Sequence, residues 1–270
     1  ERSDGMHADE LELSSLSLYP LKAGRAVTPA IAHAARGGFA GDRRWLLTTA
    51  SGEPVMLKSH PEMTRLRIAQ REDGLSLGAP GLPELVVAPP GPSAARFSVT
   101  LKRDRIVAAA AGEQADAWFG ELLGEPVRLA FMPHDVARPS RADPSADIGF
   151  AGDAPYLLVC EASLADLNAR LDAPVGLNRF RANLSVAGGR PWQEDGWRAL
   201  RIGGAVFEAL GPCPRCPNTT VDPDTGATGA EPLRTLAGFR SREGKAMFGV
   251  FMGVREEGPV QVGDVVTVLS

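Results

Sequence analysis

Apolar and polar residues alternate in short runs through the first third of the chain, with the period of two that is typical of β-strands. The runs lie at residues 13–19, 44–49, 55–57, 65–70 and 75–77. Turn-forming pairs such as Asp73-Gly74 separate them. Short strands at this spacing predict a small β-barrel or sandwich.

The remainder continues in the same manner, with two interruptions of helical spacing. Helices are predicted at residues 114–123 and 163–171, the second capped by Ser163. Loops are predicted at 86–93 and at 138–145, the latter exposed at a domain junction. Further strands are predicted at 97–101, 106–108, 127–132, 156–159, 183–186, 200–202, 205–210, 246–252 and 265–269. The predicted fold class is mostly β with a few helices (α+β).

Composition places the chain among soluble globular proteins, since 44% of its 270 residues are hydrophobic and 23% are charged. The net charge of -4 and the lack of a basic run argue against nucleic acid as a partner. No apolar stretch approaches the roughly 20 residues of a membrane span, and the polar residues 1–10 do not resemble a signal peptide. Three cysteines, an odd number, favour a reducing compartment, so we expect a cytoplasmic protein.

The densest chemical signal is the loop at residues 211–226. It holds Cys213 and Cys216 three positions apart, with Arg215 between them, two hydroxyls at Thr219 and Thr220, and carboxylates at Asp222 and Asp224. An arginine beside a thiol favours the thiolate. From the residues alone, four interpretations stay open: a structural zinc site short of ligands, a redox dithiol, two buried thiols in a rigid turn, or a thiolate that binds a soft metal completed by a cofactor.

Several isolated cations lie on predicted loops or strand ends: Lys22, Arg43, Lys58 and Arg181. Each taken alone is typical of a solvated surface charge. Together they would provide counter-charges for an anionic cofactor, because arginine forks suit phosphate oxygens. Arg181 and Asn183 are two apart, so on a strand they would face the same side.

Eight segments, in this order, carry a resemblance to a known family. They are LYPLKAG (18–24), GDRRW (41–45), LLVCEASLADLN (157–168), RFRANLSV (179–186), EDGW (194–197), PCPRCPNTTVDPDTG (212–226), EPLRTLAGFR (231–240) and VGDVVTVL (262–269). The chain resembles MOSC-domain proteins with an amino-terminal β-barrel domain, the arrangement of the mitochondrial amidoxime-reducing component and its bacterial relatives. The resemblance implies two β-barrel domains, at residues 11–135 and 136–270.

The resemblance also implies a molybdenum cofactor, with molybdenum held by molybdopterin and by one thiolate. The cysteine three residues before the Thr-Thr pair is Cys216, which becomes the metal ligand, with Arg215 beside it as a second catalytic residue. The expected cofactor-binding residues are Lys22, Arg43, Lys58, Asp153, Arg181, Asn183, Thr219 and Thr220. The implied reaction is reduction of N-hydroxylated compounds (hydroxylamines, amidoximes, N-hydroxylated bases), which consumes two electrons and two protons.

Electrons are expected from a separate protein of the ferredoxin, flavodoxin or cytochrome type, with its reductase, because the chain has no Cys₄ set for an iron–sulfur cluster. The chain departs from the resemblance at Ala23, Lys58, residues 152–154 and Asn218, where relatives often have Ser, Arg, hydroxyls and an aliphatic residue. Two alternatives to the reductase remain at this point. One is a sulfur carrier or cofactor-handling protein related to the carboxy-terminal module of molybdenum cofactor sulfurases, and the other is a non-catalytic cofactor-binding protein.

Overall fold

A computed structural model describes residues 10–269. The expectation about a signal peptide concerns residues 1–9, which lie outside the described residues. The α-helices are α1 (Glu113–Leu123), α2 (Glu161–Asn168) and α3 (Leu233–Phe239). None of these three helices, among the residues described, is long and apolar enough to cross a membrane.

Strands dominate the fold, so the predicted class is confirmed. In chain order they are β1 (Glu12–Leu16), β2 (Ile31–Ala34), β3 (Trp45–Thr49), β4 (Arg67–Arg71), β5 (Gly74–Gly78), β6 (Leu85–Val87), β7 (Arg96–Leu101), β8 (Asp104–Ala110), β9 (Val127–Phe131), β10 (Tyr156–Cys160), β11 (Leu184–Ala187), β12 (Ala199–Ile202), β13 (Ala205–Pro214), β14 (Ser241–Arg242), β15 (Lys245–Glu256), β16 (Gly258–Gln261) and β17 (Val266–Leu269).

The carboxy-terminal half forms one large sheet in the order β1-β11-β10-β15-β13-β12-β17, with β14 added to β15. An isolated bridge between Glu12 and Val265 links the two ends of this sheet, so it is a nearly closed barrel. β10 and β11 pair in parallel, and α2 provides the crossover between them that a parallel pair requires. The barrel interior is a cluster of buried apolar side chains that includes Leu184 and Phe207.

The amino-terminal half is a half-barrel of two smaller sheets, β3-β9-β8-β7 and β4-β5-β6. Helix α1 covers its core because Ala115, Trp118 and Phe119 recur at helical spacing and are buried on one face. The helix ends at Gly124, whose φ of 73° is left-handed and whose N–H donates to the carbonyl of Gly120. The predicted helix at 114–123 therefore matches α1 within one residue.

The first two strands belong to the sheets of the other half of the chain. β1 pairs with β11, and β2 pairs with β16 in a separate two-stranded sheet. The chain thus begins in the carboxy-terminal barrel and only then enters the half-barrel at β3. The division of the chain at residue 135 stays a prediction, and these pairings show that the two halves share strands across it.

Three local predictions were wrong, and some short elements were missed. Residues 55–57 are not a strand, because the chain turns there and places Val55 and Leu57 directly in the half-barrel core. The predicted loop at 86–93 contains the end of β6, which pairs with β5. Ser163 does not cap a helix, since α2 begins at Glu161 and the Ser163 hydroxyl donates to buried Glu194. The elements β2, β14, β16 and α3 were not predicted, because each is only two to seven residues long and too short for a periodic pattern to be recognised.

The segment at 138–145, predicted as an exposed loop, is anchored by a buried arginine. Arg138 is 5% exposed. Its guanidinium donates to the carbonyls of Gly149 (2.9 Å) and Ala151 (2.8 Å), and pairs with Asp104 at 3.0 Å. The polar composition of the segment predicted that it is exposed. However, the backbone carbonyls of the turns that follow it require a hydrogen-bond donor, and the guanidinium of Arg138 is that donor. This arginine ties the junction to β8.

We expect Arg138→Met to lower the free energy of unfolding by about 3 kcal/mol, since it leaves buried carbonyls and Asp104 without their partner. Arg141→Met is the matched control, because Arg141 pairs with the same carboxylate at 3.1 Å but is 40% exposed. Its loss should cost less than about 1 kcal/mol. Urea denaturation of the two variants measures both values, and equal losses would show that the buried contacts add nothing.

Candidate functional site

A cleft of about 240 Å³ opens where the half-barrel meets the large sheet. Most of its lining comes from four segments: residues 22–23, 151–154, 180–183 and 213–218. The first comes from the amino-terminal part of the chain, and the other three come from the carboxy-terminal part. The cleft brings together Lys22, Arg43, Asp153, Arg181, Asn183, Arg215 and Cys216, seven of the predicted site residues.

Cys216 lies at the point where β13 ends and a short 3₁₀ helix, Pro217–Thr220, begins. Its thiol is free, and the residue is exposed. Thr219 and Thr220 do not line the cleft. Their hydroxyls instead donate to the carbonyls of Cys216 (2.9 Å) and Pro217 (2.8 Å). The two threonines therefore hold the turn that presents Cys216.

Arg215 contacts the other cysteine. Its Nη1 donates to the Cys213 sulfur at 3.0 Å, and its Nη2 donates to the Phe180 carbonyl at 2.7 Å. The sequence suggested that Arg215 favours a thiolate at its neighbour, but in an extended segment side chains two apart share a face. Cys213 is buried, and burial raises the pKa of its thiol, with Arg215 opposing that shift. Arg215 therefore orders the cleft wall through Cys213 and Phe180.

Three cationic side chains converge beside the thiol through left-handed turns and hydrogen bonds to backbone. Arg43 (φ 48°) and Arg181 (φ 56°) both have positive φ values. Arg43 Nη1 donates to Asn183 Oδ1 at 3.0 Å, and its Nη2 donates to the Arg181 carbonyl at 3.1 Å. Both guanidinium groups lie over the ring of Tyr19, at 4.6 and 4.2 Å. Lys22 Nζ donates to the Phe150 carbonyl at 2.8 Å.

The electrostatics of the cleft are strongly positive. Removal from water, together with the smaller effect of the neighbouring charges of Arg43 and Arg181, lowers the pKa of Lys22 to about 7. Burial likewise lowers the pKa of Arg181 to about 10. Among the described residues that line the cleft, only Asp153 has a carboxylate side chain. It already pairs with Lys102 at 2.6 Å. The arrangement therefore favours an anionic ligand.

Two predictions about individual residues differ from the structure. Arg181 and Asn183 do not share a strand face, because β11 begins at Leu184 and Arg181 ends a 3₁₀ helix. Both still line the cleft, where Arg43 donates to the Asn183 side chain and to the Arg181 carbonyl. Lys58 is exposed and is not among the lining residues, although Leu57 is. Its role as a cofactor contact stays a prediction without support from the cleft.

Sequence reasoning missed Lys102, which lines the cleft from the β7–β8 turn. No motif marks this lysine, and only the tertiary fold brings it to Asp153. Within residues 10–269, no three His, Cys, Asp or Glu side chains group as a protein-only metal site requires. A metal at Cys216 would need its other ligands from a bound molecule.

The fold is that of a two-domain protein, with a half-barrel and a nearly closed barrel. The cleft between them holds an exposed thiol and cations suited to an anion. The MOSC N-terminal beta barrel domain matches residues 10–126, and the MOSC domain matches residues 145–267. The mitochondrial amidoxime reducing component 2 of Bos taurus is 32% identical, over 93% of this chain and 81% of its own length. The human component 1 is also 32% identical, over 96% and 83%.

A second type of relative is a molybdenum cofactor sulfurase of Oryza sativa subsp. japonica. It is 30% identical over 95% of this chain, which spans only 34% of that protein. The chain therefore belongs to the family of MOSC-domain proteins with a MOSC N-terminal β-barrel domain, which includes the amidoxime-reducing components. The predicted family, the association with the molybdenum cofactor and the class of molybdenum-dependent oxidoreductase are confirmed at this level. The cytoplasmic location stays a prediction, since these reductase relatives are named as mitochondrial.

Proposed function

We propose that this protein reduces N-hydroxylated compounds with a molybdenum cofactor bound in the cleft, and that Cys216 provides the protein thiolate to the metal. One observation carries the proposal: an exposed thiol lies in a cleft with two buried or half-buried cations, Lys22 and Arg181, that lack anionic partners, beside Arg43, which pairs with Asp42. Lys22 has no carboxylate within salt-bridge distance among the described residues, and neither does Arg181. The cleft therefore fits a ligand that combines negative charge with a soft metal.

The side chains of the cleft would have different roles in holding the cofactor. Lys22, Arg43 and Arg181 would bind the phosphate and polar edge of the cofactor, because charge-assisted hydrogen bonds to such groups are strong. Asn183 would be held in register by Arg43, since its Oδ1 accepts from that guanidinium and its amide donates to Ser17 O at 3.1 Å. Cys216 would ligate the metal from the turn fixed by Thr219.

When bound, the cofactor supplies a soft, redox-active metal able to pass two electrons to an N–O bond. Reduction of R–NHOH to R–NH₂ and water consumes two electrons and two protons. We assign the electrons to a separate redox protein of the ferredoxin, flavodoxin or cytochrome type. Phe251, which is half-buried and also lines the cleft, would contact the organic part of the substrate.

The test is to purify the protein from a host that makes the cofactor and measure its metal and its activity. We expect about one molybdenum per chain and reduction of benzamidoxime to benzamidine with a chemical reductant. Metal without reduction would contradict the proposed activity. Sulfane sulfur on Cys216 without metal would instead favour the sulfur carrier, an alternative consistent with the exposure of that thiol. A protein that carries neither molybdenum nor sulfane sulfur would contradict both functions.

A further inference from the structure

Arg43 and Arg44 are adjacent in the chain but serve different cavities. Arg43 enters the cleft, whereas Arg44 lines a second cavity of about 360 Å³. We call this the Arg44 cavity. It lies between the glycine-rich loop at 37–42, the β4–β5 turn, the end of β9 and residues 147–149. Its volume is in the range of small-molecule sites.

Arg44 lacks the partner that buried arginines in this protein normally have. Seven arginines are buried or half-buried among the described residues, and four of them pair with a carboxylate: Arg43, Arg138, Arg179 and Arg240. Two others, Arg181 and Arg215, line the cleft that fits an anion. Arg44 is the seventh, and it lies outside that cleft.

The guanidinium of Arg44 is held in place while part of its hydrogen-bonding capacity is unused. Its Nη2 donates to the Met132 carbonyl and approaches His134 Nδ1 at 3.5 Å. The group lies 5.4 Å from the centre of the Phe131 ring. Its Nη1 takes part in no hydrogen bond among the described residues, and its buried Nε has no partner, as is also the case for Arg179, Arg215 and Arg240. Burial lowers the pKa of Arg44, and no acidic group opposes that shift. A fixed, unpaired guanidinium is a preorganised site for an oxyanion.

The other lining residues restrict the kind of anion. Phe39, Trp45 and Leu75 give the cavity apolar walls. Three carboxylates also line it: Glu72 and Asp147, which are exposed, and Asp42, which is buried and pairs with Arg43. The second lining arginine, Arg71, already pairs with Asp73, so the carboxylates would repel a ligand with several negative charges. We propose that the Arg44 cavity binds a small monocarboxylate with an apolar body, whose carboxylate pairs with Arg44. This site does not overlap the cofactor cleft, since no residue lines both cavities.

The experiment titrates benzoate into the ¹⁵N-labelled, cofactor-free protein and follows the amides of Gly38 and Gly41, which line the cavity. We expect saturable shifts with a Kd on the order of 1 mM, as for a ligand of this size. Arg44→Met should weaken binding at least about tenfold, through loss of the charged pair. Arg128→Met is the matched control, because Arg128 lies over Phe97 on the same half-barrel but outside the cavity. The Kd of this variant for benzoate should equal that of the wild type.

A second variant protects the test against misfolding of Arg44→Met. Ala40 is exposed and lines the cavity, so Ala40→Phe should block benzoate without touching Arg44. Wild-type affinity in both variants would overturn the site, as would shifts confined to Asn183 in the cofactor cleft. Inorganic phosphate binding more tightly than benzoate would overturn the ligand class. These outcomes are distinct from failure of the reductase proposal, because they need neither metal nor turnover.

Discussion

Cys216→Ala is expected to abolish reduction of N-hydroxylated substrates, whereas Cys213→Ala keeps a large part of it. Cys216 is exposed in the cleft, and Cys213 is a buried thiol that accepts from Arg215. Outer-shell partners of a metal typically contribute 10–100-fold, so removal of the protein's own ligand should cost more than that, about 10³-fold or more. Benzamidoxime reduction and molybdenum content of the two variants measure the difference.

The pair of variants separates the mechanisms that the sequence left open. Cys213→Ala should cost about 1 kcal/mol of stability, as a small cavity does, and it should retain its metal. Equal inactivity of both variants, with each folded, would favour a dithiol mechanism. Full activity in Cys216→Ala would show that the metal is held without this thiolate, and the assignment of Cys216 would be wrong.

Lys22→Met is expected to act in opposite directions on stability and on cofactor binding. Without a ligand, Lys22 holds a charge among other cations and away from water, so its replacement should raise the Tm of the cofactor-free protein by roughly 2–4 °C. With the cofactor present, the lost charge-assisted hydrogen bond should reduce molybdenum retention about tenfold or more. Thermal unfolding and elemental analysis measure the two effects. Lys245→Met, at an exposed position outside the cleft, is the control and should change neither.

The stability effect of Lys22 should depend on pH with a defined sign. Its pKa is about 7 in the folded protein against an ordinary value of 10.5. Between these values the folded state binds fewer protons than the unfolded chain, so wild-type stability rises with pH across this window. Below pH 7 both states are protonated, and the full cost of the buried charge is present. The advantage of Lys22→Met should thus be largest below pH 7 and shrink above it. A pH-independent difference would show that Lys22 titrates normally.

Local patterns predicted most of the strands because their residues alternate between core and solvent. β5, β7, β11 and β12 fall within a few residues of the predicted runs. The pattern failed where burial does not follow a local period. Val55 and Leu57 lie in a segment predicted as a strand, but the chain turns there and their side chains pack in the half-barrel core. Strand β2 has only one fully buried residue, so it shows no alternation.

Residue types and the family resemblance predicted which residues form the site. They did not predict how those residues are arranged in space. The sequence marked Cys216, Arg43 and Arg181, but it placed the guanidinium of Arg215 beside the wrong thiol. It also gave no sign of Lys102 or of the Arg44 cavity. Those features depend on pairings between residues that are far apart in the chain, such as Lys102 with Asp153.

The chain by itself therefore determined a β-rich, two-part fold, the family, and a thiol-bearing loop near a set of cations. Only the tertiary structure decided that β1 and β2 join the carboxy-terminal sheets, and that Lys22 and Arg43 thereby meet Arg181. The reason is physical: alternation and turn residues act over a few positions and can be read locally. The convergence of like charges is set by long-range strand pairing, and it is stable only because the fold's many other contacts oppose the repulsion.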